Sequence, residues 1–110
     1  MDLPRDGVRA VRAAVQTGGS YVLVPDEEIL SAIAVLGRVG IFAEPAGSTA
    51  YAGLLSALKQ GLVTPDDPLV VINTGSGLKD TRAALKAVGE APVIEPSMGA
   101  LKKFLDHHCK

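Results

Sequence analysis

The chain has 110 residues, of which 47% are hydrophobic, and a formal net charge of −1 from 11 basic and 12 acidic residues. This length allows one domain at most, and the balanced charge excludes recruitment to nucleic acid or to an anionic membrane. The apolar runs fall short of the roughly 20 residues that a membrane-spanning helix needs, and the single cysteine excludes an intrachain disulfide, so we expect a soluble, cytoplasmic protein.

Five helices are predicted from apolar residues that recur at helical spacing. Gly18 and Gly61 are placed where glycine commonly ends a helix, and Ser97 supplies a hydroxyl that can cap the start of the last one. Pro25 precedes the acidic start of the second helix and cannot provide such a cap. The predicted helices lie approximately at residues 8–17, 26–36, 50–60, 79–88 and 98–105.

Four short strands are predicted between these helices, because brief apolar runs rich in β-branched or aromatic residues occur there. The runs lie at residues 21–24, 41–43, 69–72 and 92–94. Strict alternation of helix and strand is typical of a parallel sheet with right-handed crossovers. We therefore predict an α/β fold, a parallel sheet of about four strands with helices on both faces.

Two of the strand-to-helix junctions hold small and polar residues, at Glu44 and at Thr74. In open α/β sheets, ligands bind at the carboxyl ends of strands, often against a helix N-terminus, which makes these turns the candidate binding site. A structural explanation stays open for both turns. The Thr74 turn can be an ordinary loop in which glycine supplies a positive φ and threonine caps the helix, and Glu44 can cap the helix after it or bind backbone N–H groups.

Three segments carry a more specific signal: residues 26–29 (Asp-Glu-Glu-Ile), residues 40–47 (Gly-Ile-Phe-Ala-Glu-Pro-Ala-Gly) and residues 74–80 (Thr-Gly-Ser-Gly-Leu-Lys-Asp). Their order and spacing resemble those of threonine synthases, which belong to the fold type II pyridoxal-phosphate enzymes. The resemblance extends from about Pro4 to Leu105. It implies a catalytic domain that uses pyridoxal phosphate and a small-molecule substrate, converting O-phosphohomoserine and water to threonine and phosphate.

The resemblance also implies which residues of this chain face the cofactor. The Thr74 hydroxyl corresponds to the group that hydrogen-bonds the pyridine nitrogen, and Gly75 and Gly77 let the backbone approach the ring. Ser76 shares this turn, whose backbone shapes the floor of the pocket, and Glu44 is expected to line the pocket. The predicted cofactor-binding residues are therefore Glu44, Thr74, Gly75, Ser76 and Gly77.

The chain lacks two elements that the resemblance leads us to expect, the lysine that holds the cofactor aldehyde and the loop that binds its phosphate. We therefore expect residues 1–110 to be a single partial domain, the C-terminal part of a catalytic domain, with no catalytic residue of its own. On this hypothesis the chain alone is inactive and binds pyridoxal phosphate weakly or not at all. A sheet left uncovered on one flank would favour homo-oligomers.

Two other functions stay open. The first is a segment of a serine or threonine dehydratase, against which the continuation Leu78-Lys79-Asp80 argues. The second is a stand-alone small-ligand binding or regulatory module, for which the chain lacks a complete phosphate-binding loop. Lys79 and Asp80 themselves are expected to form local ion pairs and helix-start contacts.

The chain has one cluster of histidine and cysteine, His107-His108-Cys109. Adjacent histidines point to different sides of a helix, whereas a tetrahedral zinc site needs spaced ligands on a rigid frame. We therefore expect no metal site there, and we expect Cys109 to be an exposed, reduced thiol.

Overall fold

The computed structural model describes residues 5–108, and its regular structure is helical. Five α-helices occur in this part of the chain, each overlapping a predicted helix, and a single 3₁₀ turn precedes the fourth. Their bounds are α1 Gly7–Thr17, α2 Asp26–Arg38, α3 Pro45–Lys59, the 3₁₀ turn Gly77–Lys79, α4 Thr81–Val88 and α5 Met98–His108. The third helix begins at Pro45, about five residues earlier than predicted.

Local signals account for most of the helix ends. Gly18 closes α1 in the left-handed region with φ 68°, and Gly61 adopts the same φ just after α3. The Ser97 hydroxyl accepts a hydrogen bond from the Ala100 N–H at 3.2 Å, which confirms the predicted cap of α5. Pro25 stands at the start of α2 without a side-chain cap, also as predicted.

The predicted α/β fold is wrong for the part of the chain that the structure describes. Residues 21–24, 41–43, 69–72 and 92–94 form no strand there, and the one β-type pairing is an isolated antiparallel bridge between Ala43 and Ser76. Apolar β-branched runs favour a strand only where a partner supplies hydrogen bonds and covers the side chains. Much of this apolar surface has no such cover within residues 5–108, since Leu23 is 96% exposed and Val93 is 99% exposed.

The core lies at the centre of the chain, where α2 packs against both α3 and α4. Helix α2 contributes Ala32, Ile33 and Leu36, and Ala52 of α3 is buried with them. Half of this set is alanine, whose small side chain allows the two helices to approach closely. Ala43, which precedes α3, is buried as well and joins the core to the candidate site.

The outer helices bury none of their residues. On α1 the apolar stripe of Val8, Val11 and Val15 is exposed, and α5 packs extensively against none of the other described helices. The radius of gyration is 18.3 Å, against about 13 Å for a compact domain of this length. The chain is therefore extended around a small helical centre. None of its described helices has the length and apolarity to cross a membrane.

Candidate functional site

The two turns singled out by the sequence meet in the structure. The Glu44 N–H donates to the Gly75 carbonyl oxygen at 3.1 Å, and the Gly77 N–H donates to the Phe42 carbonyl oxygen at 2.9 Å. These two bonds flank the bridge between Ala43 and Ser76. Residues 42–44 and 74–77, called here the two-turn site, thus bring all five predicted cofactor-binding residues together.

Close packing explains the glycines of this site. Neither Gly75 nor Gly77 has a positive φ, so the alternative of an ordinary loop in which glycine supplies a positive φ is wrong. A Cβ at position 75 would collide with the Glu44 side chain, and a Cβ at position 77 would collide with the Phe42 ring. Each glycine is therefore needed because a side chain of the facing turn occupies the space that its own Cβ would fill.

A third glycine extends this contact into α3. A Cβ on Gly47 would collide with the Asn73 carboxamide and would lie 3.1–3.2 Å from backbone atoms of Gly75. Gly47 is buried in the first turn of α3. The start of that helix is therefore pressed against the second turn of the site.

Glu44 precedes α3 but does not cap it with its side chain, so the predicted capping role is wrong. Its Oε1 instead accepts a hydrogen bond from Lys79 Nζ at 3.1 Å. The Glu44 side chain is 17% exposed and that of Lys79 is 62% exposed. The prediction of a local ion pair for Lys79 is wrong too, because its partner lies 35 residues away.

Lys79 is the residue of the site that sequence reasoning missed. The available signal was weak, since a carboxylate in one turn and an ammonium after the other suggest a pair only when the turns are known to meet. Asp80 does form the predicted helix-start contact, with its Oδ1 accepting from the Ala83 N–H at 3.0 Å.

The two hydroxyls of the second turn differ in their hydrogen bonding. Ser76 Oγ accepts from the Leu78 N–H at 3.3 Å and so caps the 3₁₀ turn. Thr74 is exposed, caps no helix, and its hydroxyl forms no hydrogen bond with the described part of the chain. The expectation that Thr74 caps the following helix is therefore wrong. Its hydroxyl remains available to a ligand as both donor and acceptor.

Ser48, in the first turn of α3, has a fully buried hydroxyl. Within residues 5–108 this hydroxyl has no hydrogen-bond partner. A buried polar group without a partner costs about 1–3 kcal/mol. The packing beside the two-turn site thus leaves one buried hydroxyl without a partner among the described residues.

A cleft of about 420 Å³ lies beside the two-turn site, where the starts of α2, α3 and α4 converge. It has room for a small ligand, but none of the five predicted cofactor-binding residues lines it. Its walls carry charges of both signs. The lining includes Asp26, Ile29, Pro45, Asp80, Arg82 and Lys86.

The histidines lie on α5, away from the two-turn site along the chain. His107 Nδ1 is 2.8 Å from the Lys103 carbonyl oxygen, and His108 Nδ1 is 3.0 Å from that of Phe104, whose ring stacks on His108. Cys109 lies outside the described residues. The two imidazoles are therefore engaged with their own helix.

Comparison with known proteins bears directly on this arrangement. The sequence model of the family "Pyridoxal-phosphate dependent enzyme" matches residues 1–75, a range that holds Glu44, Thr74 and Gly75. The threonine synthase of Methanocaldococcus jannaschii is 42% identical over 103 residues, which are 93% of this chain and 25% of that protein.

Two further similar proteins are also threonine synthases. The threonine synthase of Halalkalibacterium halodurans is 36% identical over 105 residues, 94% of this chain and 29% of that protein. The threonine synthase of Mycobacterium tuberculosis is 40% identical over 94 residues, 84% of this chain and 25% of that protein. The chain therefore spans between a quarter and three tenths of the length of these relatives.

Proposed function

The chain belongs to the pyridoxal-phosphate dependent enzyme family, and from its similarity to the three threonine synthases we propose that it forms part of the catalytic domain of a threonine synthase. The proposed reaction converts O-phosphohomoserine and water to threonine and phosphate. One observation carries the assignment to this chain's own residues. The Glu44 and Thr74–Gly77 turns, 30 residues apart in sequence, are joined by two backbone hydrogen bonds and one ion pair.

The residues of the two-turn site fit the cofactor on the evidence of Thr74. Its exposed hydroxyl has no partner in the described part of the chain, so it can hydrogen-bond the pyridine nitrogen. Pyridoxal phosphate supplies an electron sink when it is bound, and a neutral hydroxyl partner tunes that sink more mildly than a carboxylate would. Gly75, Ser76 and Gly77 would form the backbone floor beside the ring, with Glu44 at its edge.

We propose that catalysis needs groups beyond those of the two-turn site. The resemblance places none of the lysines of this chain where the cofactor lysine would stand, and two of them, Lys59 and Lys79, pair with Glu28 and Glu44. We expect the 110-residue chain by itself to bind pyridoxal phosphate weakly or not at all. Titration with the cofactor, borohydride reduction and mass spectrometry test this, and a stoichiometric adduct on one lysine would contradict it.

A chimeric enzyme tests the proposed function directly. The segment of the M. jannaschii threonine synthase that matches this chain is replaced by the chain itself, and phosphate release from O-phosphohomoserine is measured. We expect the chimera to be active. A chimera that folds and binds the cofactor but releases no phosphate would contradict the proposed reaction.

Two threonine variants of that chimera test the role of Thr74. Thr74→Val should lower kcat/KM roughly tenfold, because the ring nitrogen loses its hydrogen-bond partner. Thr17→Val is the matched control, since the Thr17 hydroxyl bonds only the Ala13 carbonyl of its own helix, at 2.8 Å. Equal activities of the two variants would mean that Thr74 does not hold the cofactor.

The association state and the location of the protein stay predictions. Exposed valines on α1 and exposed apolar residues on α5 favour self-association of the isolated chain. Sedimentation velocity over a hundredfold range of concentration would detect it, and a constant monomer would exclude it. A cytoplasmic location is supported by the low cysteine content.

A further inference from the structure

We propose that Lys79 is a positioning residue, whose ammonium holds the Glu44 carboxylate across Gly75 and keeps the two turns of the site joined before any ligand arrives. The pair and its effect on the turns stand on the geometry alone. A role for the positioned Glu44 carboxylate beside a bound cofactor rests in addition on the proposed function.

The backbone around Lys79 is held firmly enough to aim its side chain. The Lys79 N–H donates to the Ser76 carbonyl at 3.1 Å, and the Asp80 N–H donates to the Gly77 carbonyl at 3.1 Å. Asp80 then starts α4 through its bond to Ala83. Lys79 therefore sits between two ordered turns rather than on a free loop.

The Glu44 carboxylate has a defined place on the other side of the contact. The carboxylate itself lies over Gly75, where no Cβ could fit, and its Oε1 accepts a hydrogen bond from Lys79 Nζ. A carboxylate has about four acceptor positions, so Glu44 keeps acceptor capacity for a ligand while it is held by Lys79. The combination of Gly75 and Lys79 thus determines where this mostly buried carboxylate stands.

Two amide protons report on this contact in the 110-residue chain. They are the N–H of Glu44, bonded to Gly75, and the N–H of Gly77, bonded to Phe42. Their hydrogen exchange is measured by NMR for the wild-type chain and for Lys79→Met. We expect exchange at both amides to be about twofold to fivefold faster in the variant, the size expected for a partly exposed ion pair.

Three further measurements separate positioning by charge from a general loss of structure. Lys79→Arg should restore slow exchange, Lys102→Met on α5 should leave it unchanged, and 1 M NaCl should bring the wild type close to Lys79→Met. Unchanged exchange in Lys79→Met would overturn the proposal. So would an equal acceleration at the Leu36 amide in the core of α2, because that would indicate global destabilisation.

The chimeric enzyme keeps this test separate from the proposed function. If the chimera with Lys79 is inactive while Lys79→Met still accelerates hydrogen exchange at the two amides, the positioning role stands and the enzymatic assignment fails. If the chimera is active and Lys79→Met leaves both the amides and kcat unchanged, the positioning role fails alone.

Discussion

The helical centre and the outer helices differ in both composition and burial: α2 and α3 are the more apolar helices and bury residues, whereas α1 and α5 bury none. Helix α2 covers Ile33 and Leu36 with α3 and α4, whereas the valines of α1 remain in solvent. What distinguishes the centre is the group of tight contacts at Gly47, Gly75 and Gly77. In the centre, close backbone approach at these glycines therefore accompanies the more apolar helices, and the outer helices have neither.

The sharpest test of this comparison uses two isoleucines. Ile33→Ala should lower the free energy of unfolding by about 2–5 kcal/mol, because Ile33 is 4% exposed in the core. Ile72→Ala makes the same change at a residue that is 70% exposed, and should cost less than about 0.5 kcal/mol. Urea unfolding measures both, and equal losses would mean that residues 69–72 are covered in solution.

The next largest effect concerns the glycine contacts. Gly77→Ala should lower the free energy of unfolding by about 1–3 kcal/mol, because the added methyl group overlaps the Phe42 ring. Gly37→Ala is the matched control on α2, where an added methyl group meets nothing within 4 Å. The control should raise stability by about 0.5–1 kcal/mol through helix propensity. Similar changes in the two variants would refute the close approach at Gly77.

Ser48→Ala should raise the free energy of unfolding by about 1 kcal/mol, since it removes a buried hydroxyl that has no partner within the described residues. Ser56→Ala on the same helix is the control, because the Ser56 hydroxyl accepts from Gln60 Nε2 at 2.9 Å. We expect no gain from the control. A loss of stability in Ser48→Ala would show that its hydroxyl is satisfied in solution.

Removal of a helix cap gives an effect of similar size and opposite sign. Asp80→Ala should cost about 1 kcal/mol, because the Ala83 N–H at the start of α4 loses its acceptor. Asp80→Asn keeps a side-chain oxygen and should retain most of the stability. Thermal unfolding followed by circular dichroism separates the two, and identical melting curves would argue against the cap.

The smallest effect lies in an exposed turn outside the centre. The pKa of the Asp67 carboxyl lies below its ordinary value of 3.8, because the Thr64 N–H and then the Thr64 hydroxyl donate to it. Because the pKa is lower in the folded state than in the unfolded state, this carboxyl stabilises the fold at pH values above its unfolded-state pKa. The contribution is lost as the pH falls through the folded-state pKa.

Acid titration measures that contribution. Below about pH 4, Asp67→Asn should lose less stability than wild type, because it lacks the carboxyl that titrates there. Thr64→Val keeps the backbone donor and removes the hydroxyl, so it should abolish only part of the effect. If Asp67→Asn and wild type lose stability in parallel, the two hydrogen bonds are absent in solution.

Much of the local structure was predictable because its causes are local. The helix that ends at Gly18 and the Ser97 cap follow from residues within one turn of each other. The resemblance also identified the two turns that meet. The Lys79–Glu44 pair was not predictable, because nothing near either residue indicates a partner 35 positions away.

The strands show where such reasoning failed. Residues 69–72 have the composition of a buried strand, but composition cannot supply the neighbour that a strand needs, and Val70 is 89% exposed. The alternative in which glycine supplies a positive φ to the second turn was wrong for Gly75 and Gly77. Their backbone angles are ordinary, and their need for glycine comes from Glu44 and Phe42 in another turn.

The sequence by itself determined the five helices, several of their ends and the membership of a pyridoxal-phosphate dependent enzyme family, because helical hydrogen bonds and sequence motifs involve residues close in the chain. Only the tertiary structure decided which apolar faces are buried, that no sheet forms within residues 5–108, and that Lys79 holds Glu44. These outcomes depend on contacts between distant residues, whose free energy no local pattern encodes.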